Sequence, residues 1–243
     1  MKTMPDLASL LTPNPYVNDD GSMPQELRKA YESSSDQRVE NIVRALDRVL
    51  LPVIPHAHPG TDANGKVLEH TSQPSHPLER EEGLVTAQVH NGRSAVVVFS
   101  HAEALTNWNA TARPVPVSIE ATAIATLKQK TGLIVLDPGT DNETVLGRTA
   151  VITLAAGGKW LAPWADPKIR GVITKLAEEY RDHVLSIELL PDVNGTAIVD
   201  MVFSRNSATE SVVAVAQAVA ATLETDPYVR ARLDLVEIRP RPE

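Results

Sequence analysis

A chain of 243 residues can form one large domain or two small ones. Aromatic residues make up only 4% of it, so we expect a core built mainly of Val, Leu, Ile and Ala. The net charge of −8 argues against a nucleic-acid partner, and the absence of cysteine excludes disulfides, thiolate nucleophiles and iron–sulfur clusters. No apolar run is long enough to span a bilayer and the first residues lack a signal-peptide core, so we expect a soluble cytoplasmic protein.

The first elements follow a polar start. Residues 1–35 are rich in Pro, Ser, Asn and Asp, which predicts a loose arm with one short helix at residues 24–31. From Asp36, apolar residues recur at three- and four-residue spacing, which predicts an amphipathic helix. An extended stretch at 49–54 then leads into a loop at 56–76 that contains several prolines and glycines.

A hairpin follows this loop. Residues 84–90 and 94–99 are β-rich, and Asn91-Gly92 between them is typical of a two-residue turn. Residues 100–103 match a capping box, in which the serine hydroxyl would accept a backbone N–H and the glutamate would reach back to the helix start. We therefore predict a short helix directly after the hairpin.

Shorter elements complete the first half of the chain. Residues 115–117 contain a proline and predict an edge strand, and an Ala-rich helix is expected at 118–130. A buried strand at 133–136 ends in an Asp-Pro-Gly turn at 137–139. The segment 149–155 is again apolar, and two glycines end it.

The second half repeats a loose order of helix, two strands, helix and strand. The predicted elements are a helix started by Asp166-Pro167, strands at 184–190 and 196–203, a helix at 208–223, a helical turn started by Asp226-Pro227, and a strand at 233–238. Strict alternation of strands and helices is missing. The pattern therefore predicts an α+β fold, of mixed α/β character, made of two small units in which helices pack on a mixed or antiparallel sheet.

Several of these segments resemble the SseB family, named for enhanced serine sensitivity. The similar pieces are "NGRSAVVVFSHAEALTNW", "ARPVPV", an Ala-rich helix, "GLIVLDPGT" and "LAAGG". The family motif of an aromatic residue, a hydroxyl residue, an acidic residue, Leu and Trp falls on Phe99, Ser100, Glu103, Leu105 and Trp108. Asp137 stands where the family usually has Asn. The resemblance covers about residues 36–238.

The resemblance predicts three regions. These are a loose arm at 1–35, an SseB-like N-terminal domain at 36–160 and an SseB-like C-terminal domain at 161–243. It implies a soluble protein of undefined biochemistry with no established catalytic residues. We therefore expect a non-enzymatic binding or interaction module for a protein or small metabolite, with no cofactor, no nucleic acid and no membrane. The ligand, the pathway and the oligomeric state stay open.

The residues that could act in catalysis or metal binding do not match a known arrangement of such residues. Two or three imidazoles could bind Zn or Ni in the loop that holds His56, His58, His70 and His76, but their spacing favours an exposed polar loop. Neighbouring residues at a helix start are expected to point apart, so Ser100 and His101 predict a helix cap and not a catalytic pair. Gly157-Gly158-Lys159 lacks the Ser or Thr of a phosphate loop. We predict no catalytic, cofactor-binding or metal-binding residue.

A candidate binding surface consists of Trp108, Arg113, Asp137 and Asp141. Trp and Arg dominate binding hot spots, and Trp108 with Arg113 lies at the end of the family motif. The acids at Asp137 and Asp141 could attract a hard cation, although the spacing favours a solvated turn after a strand. The alternative function is a hydrolase or transferase in which Arg113, Asp137 and Asp141 converge in one cleft.

Overall fold

The computed structural model describes residues 15–54, 80–81, 84–89, 92–130 and 132–243. Within these ranges the helices are α1 (Gln25–Tyr31), α2 (Ser35–Ala45), α3 (Ala102–Trp108), α4 (Ile119–Thr126), α5 (Arg148–Ala155), α6 (Pro167–Glu179), α7 (Thr209–Thr225) and α8 (Pro227–Arg232), with a 3-10 turn at Pro163–Ala165. The strands are β1 (Arg48–Val53), β2 (Arg80–Glu81), β3 (Leu84–Gln88), β4 (Ser94–Val98), β5 (Arg113–Ser118), β6 (Ile134–Leu136), β7 (Thr144–Leu146), β8 (Ser186–Pro191), β9 (Ala197–Phe203) and β10 (Val236–Pro242). The predicted α+β class is confirmed. The predicted loop at 56–76 and the turn residue Asn91 lie outside the described residues.

The largest sheet has the strand order β2-β3-β4-β6-β7. The β3–β4 hairpin is antiparallel, β6 pairs parallel to β4, and β7 pairs antiparallel to β6. Side chains of β4 alternate between two apolar clusters, with Val96 and Val98 in the larger one and Ala95 and Val97 in the smaller. All four are at most 1% exposed, so this sheet is covered on both faces.

A smaller sheet in the second half follows the same scheme. Strands β8 and β9 form an antiparallel pair, and β10 returns parallel to β9 after helices α7 and α8. Each half of the chain therefore contains a hairpin, a helical crossover and a strand parallel to the second strand of the hairpin. A crossover of this kind is needed because parallel neighbours cannot be joined by a tight turn.

Strands β1 and β5 form a separate antiparallel pair. Backbone bonds of 2.8 and 2.9 Å between Leu50 and Phe99 attach β1 to the residue that follows β4. The other edge of β5 pairs with no described strand, and β5 contains Pro114 and Pro116, which have no N–H to donate. The predicted edge strand is confirmed.

Contacts join the two halves of the chain. The larger apolar cluster includes Ile42 and Val96 from the first half and Ile169 and Val199 from the second. The Val145 amide donates to the Asn194 carbonyl at 2.7 Å, and the Arg148 amide donates to Asp234 Oδ2 at 2.6 Å. Arg148 is the first residue of α5, so a carboxylate from the second half caps a helix of the first. The division into domains near residue 160 stays a prediction.

Three of the predicted helix starts have the expected side-chain cap. Asp166 and Asp226 accept backbone N–H groups at the starts of α6 and α8, and Ser118 does so at α4. The capping box at residues 100–103 is wrong, because His101 is the cap position of α3 and no side chain caps this helix. Helix α4 ends at Thr126, earlier than predicted.

Candidate functional site

Two parallel strands bring a set of polar residues to one edge of the large sheet. Ser100 lies two residues after β4, and Asp137 directly follows β6. Because β4 and β6 are parallel, their carboxyl ends meet at the same edge, where ligands bind in many open α/β sheets. Tyr31, the last residue of α1, reaches the same point. We call Tyr31, Ser100, His101 and Asp137 the carboxyl-edge cluster.

Asp137 is the centre of this cluster. Its Oδ1 accepts the Ser100 amide at 2.7 Å, and its Oδ2 accepts the Ser100 hydroxyl at 2.6 Å and the Tyr31 hydroxyl at 2.8 Å. Asp137 is 0% exposed. The expectation that this acid belongs to a solvated turn is therefore wrong. Burial and the neighbouring Asp137 carboxylate raise the pKa of Tyr31 far above its usual range, so the phenol stays protonated and remains a donor.

The backbone of Asp137 adopts an unusual conformation. Its φ is +52°, and no other non-glycine residue in the described ranges has a positive φ. Asp tolerates the left-handed region better than most residues, but the conformation still requires support from its surroundings. Here the Asp137 amide donates to Val98, and its carbonyl accepts the Thr140 hydroxyl at 2.9 Å. These bonds direct the carboxylate inward towards Ser100.

Ser100 links this carboxylate to an imidazole. Its Oγ lies 2.7 Å from His101 Nδ1, so two side chains expected to point apart are in contact. Ser100 is 0% exposed, whereas His101 is half-buried. The order Asp137, Ser100, His101 also differs from a hydrolytic triad, in which the imidazole lies between the carboxylate and the serine.

Arginines support the cluster from two sides. The Arg38 guanidinium lies 5.1 Å from the centre of the Tyr31 ring and donates to Asn142 Oδ1 at 2.9 Å. The Arg48 guanidinium donates to the Ser100 carbonyl at 2.8 Å. Arg48 also pairs with the Asp19 carboxylate through two nitrogens, and both side chains are nearly inaccessible to solvent. The segment before α1 is thereby attached to the carboxyl edge.

The four residues of the predicted binding surface lie in different surroundings. Trp108 packs on Phe99 with ring centres 5.4 Å apart and is half-buried, and Arg113 is exposed at the start of β5. Asp141 is exposed in the turn after Asp137. Within the described residues, no hydrogen bond, ion pair or ring contact joins any two of the four.

A cleft of about 450 Å³ lies elsewhere on the first half of the chain. Its walls are the second half of α2, the start of α4 and the segment that follows α5. We call it the α2–α4 cleft. Its lining residues are Glu40, Val43, Arg44, Leu46, Asp47, Ser118, Ile119, Glu120, Leu154, Gly157, Gly158, Lys159 and Trp160.

The floor and the rim of this cleft differ in polarity. The apolar lining residues Val43, Leu46, Ile119 and Leu154 are buried and belong to the larger core cluster. Both signs of charge occur on the rim: the exposed Asp47, Glu120 and Lys159 side chains make no hydrogen bond or ion pair with the described residues. Such unpaired groups around an apolar floor can bind a charged molecule of small size.

One wall of the cleft contains a tryptophan that packs against a second one. Trp160 lines it and meets Trp164 edge to face at 5.6 Å. Trp160 donates its indole N–H to Thr149 Oγ1 at 3.1 Å, and Trp164 donates to Glu40 Oε1 at 3.2 Å. The sequence patterns set the predicted domain boundary after residue 160, beside both rings. They gave no sign that the neighbouring Glu40 and Lys159 share one concavity, because α2 lies more than a hundred residues earlier.

The described residues contain no group of three or more His, Asp or Glu side chains that could hold a metal ion. The four histidines considered for a metal site, at positions 56, 58, 70 and 76, lie outside the described ranges. Among the described helices, none has the length and apolarity that a membrane crossing requires.

The comparison with known proteins assigns a family. The model of the SseB protein N-terminal domain matches residues 25–153, more than half of the chain. The chain belongs to the SseB family. The match begins at α1, which sequence patterns placed in the loose arm, and the proposed C-terminal domain at 161–243 stays a prediction. No curated protein and no solved structure matches the chain significantly.

Proposed function

We propose that this SseB-family protein is a non-enzymatic binding module of the cytoplasm that holds a small charged ligand in the α2–α4 cleft. The ligand is a metabolite or the charged end of a peptide. The observation that carries the proposal is the cleft itself, about 450 Å³ in volume, with a buried apolar floor and unpaired charges on its rim. Pockets for small ligands commonly have volumes of 300–1,000 Å³ and combine an apolar lining with a few polar groups.

The rim charges define what the ligand must carry. Asp47 and Glu120 can bind a cationic or hydrogen-bond-donating group, and Lys159 can bind an anionic or accepting group. A ligand with both kinds of group satisfies the whole rim. The apolar floor adds non-directional affinity by removing apolar ligand surface from water. Trp160 offers a large flat surface for the same purpose.

The carboxyl-edge cluster supports binding over hydrolysis. Asp137 and Ser100 are 0% exposed, and the acceptor sites of the Asp137 carboxylate are occupied by Ser100 and Tyr31. A buried hydroxyl is not accessible to a substrate as a nucleophile. The alternative of a hydrolase built on Arg113, Asp137 and Asp141 requires Asp137 to release these internal bonds before it can act on a substrate.

The test is a thermal-shift screen of charged metabolites and short peptides, followed by calorimetry on the molecules that stabilise the protein. We expect Glu120→Gln and Lys159→Gln each to weaken the affinity for the selected ligand about tenfold, since one charge-assisted hydrogen bond contributes roughly 1.5 kcal/mol or more. Glu178→Gln and Lys175→Gln on the exposed side of α6 are matched controls and should leave affinity unchanged.

Two results would contradict the proposal. One is an affinity that is insensitive to both cleft substitutions, because the ligand would then bind elsewhere. The other is steady conversion of the bound molecule by the purified chain, because the protein would then be an enzyme. Protection of tryptophan fluorescence from a soluble quencher, compared between the wild type and Trp160→Phe, gives an independent readout, since this ring lines the cleft.

A further inference from the structure

The hydrogen positions in the carboxyl-edge cluster follow from counting donors. An ionised carboxylate can only accept, and Asp137 receives the Ser100 amide, the Ser100 hydroxyl and the Tyr31 hydroxyl. The Ser100 hydroxyl has a single hydrogen, and since the carboxylate has none to donate, the 2.6 Å contact with Asp137 uses that hydrogen. The contact of 2.7 Å to His101 can then be a hydrogen bond only if His101 Nδ1 donates.

This assignment fixes the tautomer of His101. A neutral imidazole carries one N–H, so a hydrogen on Nδ1 leaves a bare lone pair on Nε2. Nε2 makes no hydrogen bond with the residues that the structure describes. Nδ1 faces the fully buried Ser100 hydroxyl, and His101 as a whole is half-buried.

We propose that His101 is a reactive imidazole whose Nε2 accepts an electrophilic acyl group. Hydrogen bonding of one ring nitrogen to a carboxylate, directly or through a polar group, fixes the tautomer and the orientation of the ring, so the lone pair of the other nitrogen is held in one place. Here the Ser100 hydroxyl connects Nδ1 to Asp137. The arrangement resembles the support that an imidazole needs in nucleophilic chemistry, although Ser100 itself is inaccessible.

The proton balance of this step uses the same three residues. The Nε2 lone pair forms a bond to the carbonyl carbon of an activated ester or anhydride, and the bond from that carbon to the leaving oxygen breaks, with the electron pair going to the leaving group. The Nδ1 proton then passes to Ser100 Oγ while the Ser100 proton passes to Asp137. The products are a neutral acyl-imidazole and a protonated Asp137.

This site is independent of the proposed ligand cleft. None of the residues that line the α2–α4 cleft belongs to the carboxyl-edge cluster. Loss of acyl reactivity at His101 would therefore leave ligand binding unaffected, and failure to find a ligand for the cleft would leave the reactivity of His101 unaffected.

The first test uses diethyl pyrocarbonate, an acylating anhydride, on the folded full chain, with the rate at each histidine read by peptide mass spectrometry. His183 is exposed and provides the internal standard. We expect His101 to react at least as fast as His183 although it is half-buried. Ser100→Ala should slow His101 several-fold and leave His183 unchanged. Thr106→Ala removes an exposed hydroxyl from the same helix outside the cluster, so it should leave the His101 rate unchanged.

The second test needs no variant. Imidazole ¹⁵N correlation spectra of the unmodified protein, recorded where His101 is neutral, should show a protonated Nδ1 and a bare Nε2. An Nε2–H tautomer for His101 would overturn the proposal. So would a His101 rate well below that of His183, or a rate that Ser100→Ala does not change in a variant that keeps the native circular dichroism.

Discussion

Arg48 and Asp19 form a buried ion pair on which the segment before α1 depends. Arg48 is 7% exposed and donates to both Asp19 carboxylate oxygens, to the Ser22 carbonyl at 2.9 Å and to the Ser100 carbonyl at 2.8 Å. Arg48→Met keeps much of the side-chain volume but leaves two carbonyls without this donor and the Asp19 charge with only the Gly21 amide. Removing one partner of a buried pair costs about 3–5 kcal/mol, so we expect the free energy of unfolding to fall by that amount.

A substitution of the partner residue Asp19 should lower the free energy of unfolding by less. In Asp19→Asn the Arg48 guanidinium keeps two backbone carbonyls and the amide oxygen as acceptors, so we expect a loss of about 1–2 kcal/mol. The loss of unfolding free energy in the double variant should be at least about 1 kcal/mol smaller than the sum of the two single losses. The reason is that the second substitution removes a charge that the first left unpaired.

The assay is urea denaturation followed by circular dichroism, with the four proteins measured side by side. A domain is stabilised by about 5–15 kcal/mol. Each variant should therefore either show a folded baseline at low urea or be visibly unfolded in the absence of urea. If the loss in the double variant equals the sum of the two single losses within about 0.5 kcal/mol, the reasoning is refuted, because residues without coupling behave additively. A loss below about 1 kcal/mol for Arg48→Met would do the same.

Three further substitutions test other contacts. Gly195→Ala should destabilise the fold by more than about 2 kcal/mol, because φ is +95° and a Cβ would overlap the Val145 carbonyl oxygen. Burial raises the pKa of Asp234 above its ordinary value, although the Arg148 amide acts against the shift. The stability of the wild type relative to Asp234→Asn should therefore fall as pH rises from about 4 through the folded-state pKa. Burial also acts to raise the pKa of Asp166, but hydrogen bonds and a neighbouring arginine hold it below the usual range. The stability of the wild type relative to Asp166→Asn should therefore be complete above about pH 4 and be lost as pH falls towards the folded-state pKa.

Controls and contrary outcomes are available for all three. Gly139→Ala has a similar φ of +79° but open space around the new Cβ, so it should cost clearly less than Gly195→Ala, and equal losses would exclude the clash as the cause. For the two acids, unfolding free energies are measured by urea titration across a series of pH values. For either acid, a stability difference between wild type and variant that does not change with pH would contradict the assigned direction of its pKa shift. So would stability differences that change in the same direction with pH for both acids.

The sequence predicted the features that depend on neighbouring residues. The starts of α6 and α8 follow from an Asp-Pro pair, because the carboxylate caps backbone N–H groups two or three residues away. The β5 edge strand follows from its prolines. The α+β class follows from the order of elements, since hairpins and helices alternate without the regular strand–helix repeat of a parallel sheet.

The same reasoning failed where a distant partner competes. Ser100 resembles a helix cap locally, but its hydroxyl bonds to Asp137, which is 37 positions later, and Tyr31 reaches that carboxylate from 106 positions earlier. A charge-assisted bond to a buried carboxylate is stronger than a cap, which explains the outcome. The α2–α4 cleft was inaccessible to sequence patterns for a related reason, since three segments remote in the chain supply its walls.

The bonds from Asn194 and Asp234 to the first half have a consequence for native-state hydrogen exchange. The amides of Val145 and Arg148 belong to β7 and α5, yet their acceptors lie in the β8–β9 turn and just before β10. An opening confined to residues 186–243 would therefore deprotect these two amides while β7 and α5 stay folded. Their exchange rates report on the part of the chain that supplies the acceptors.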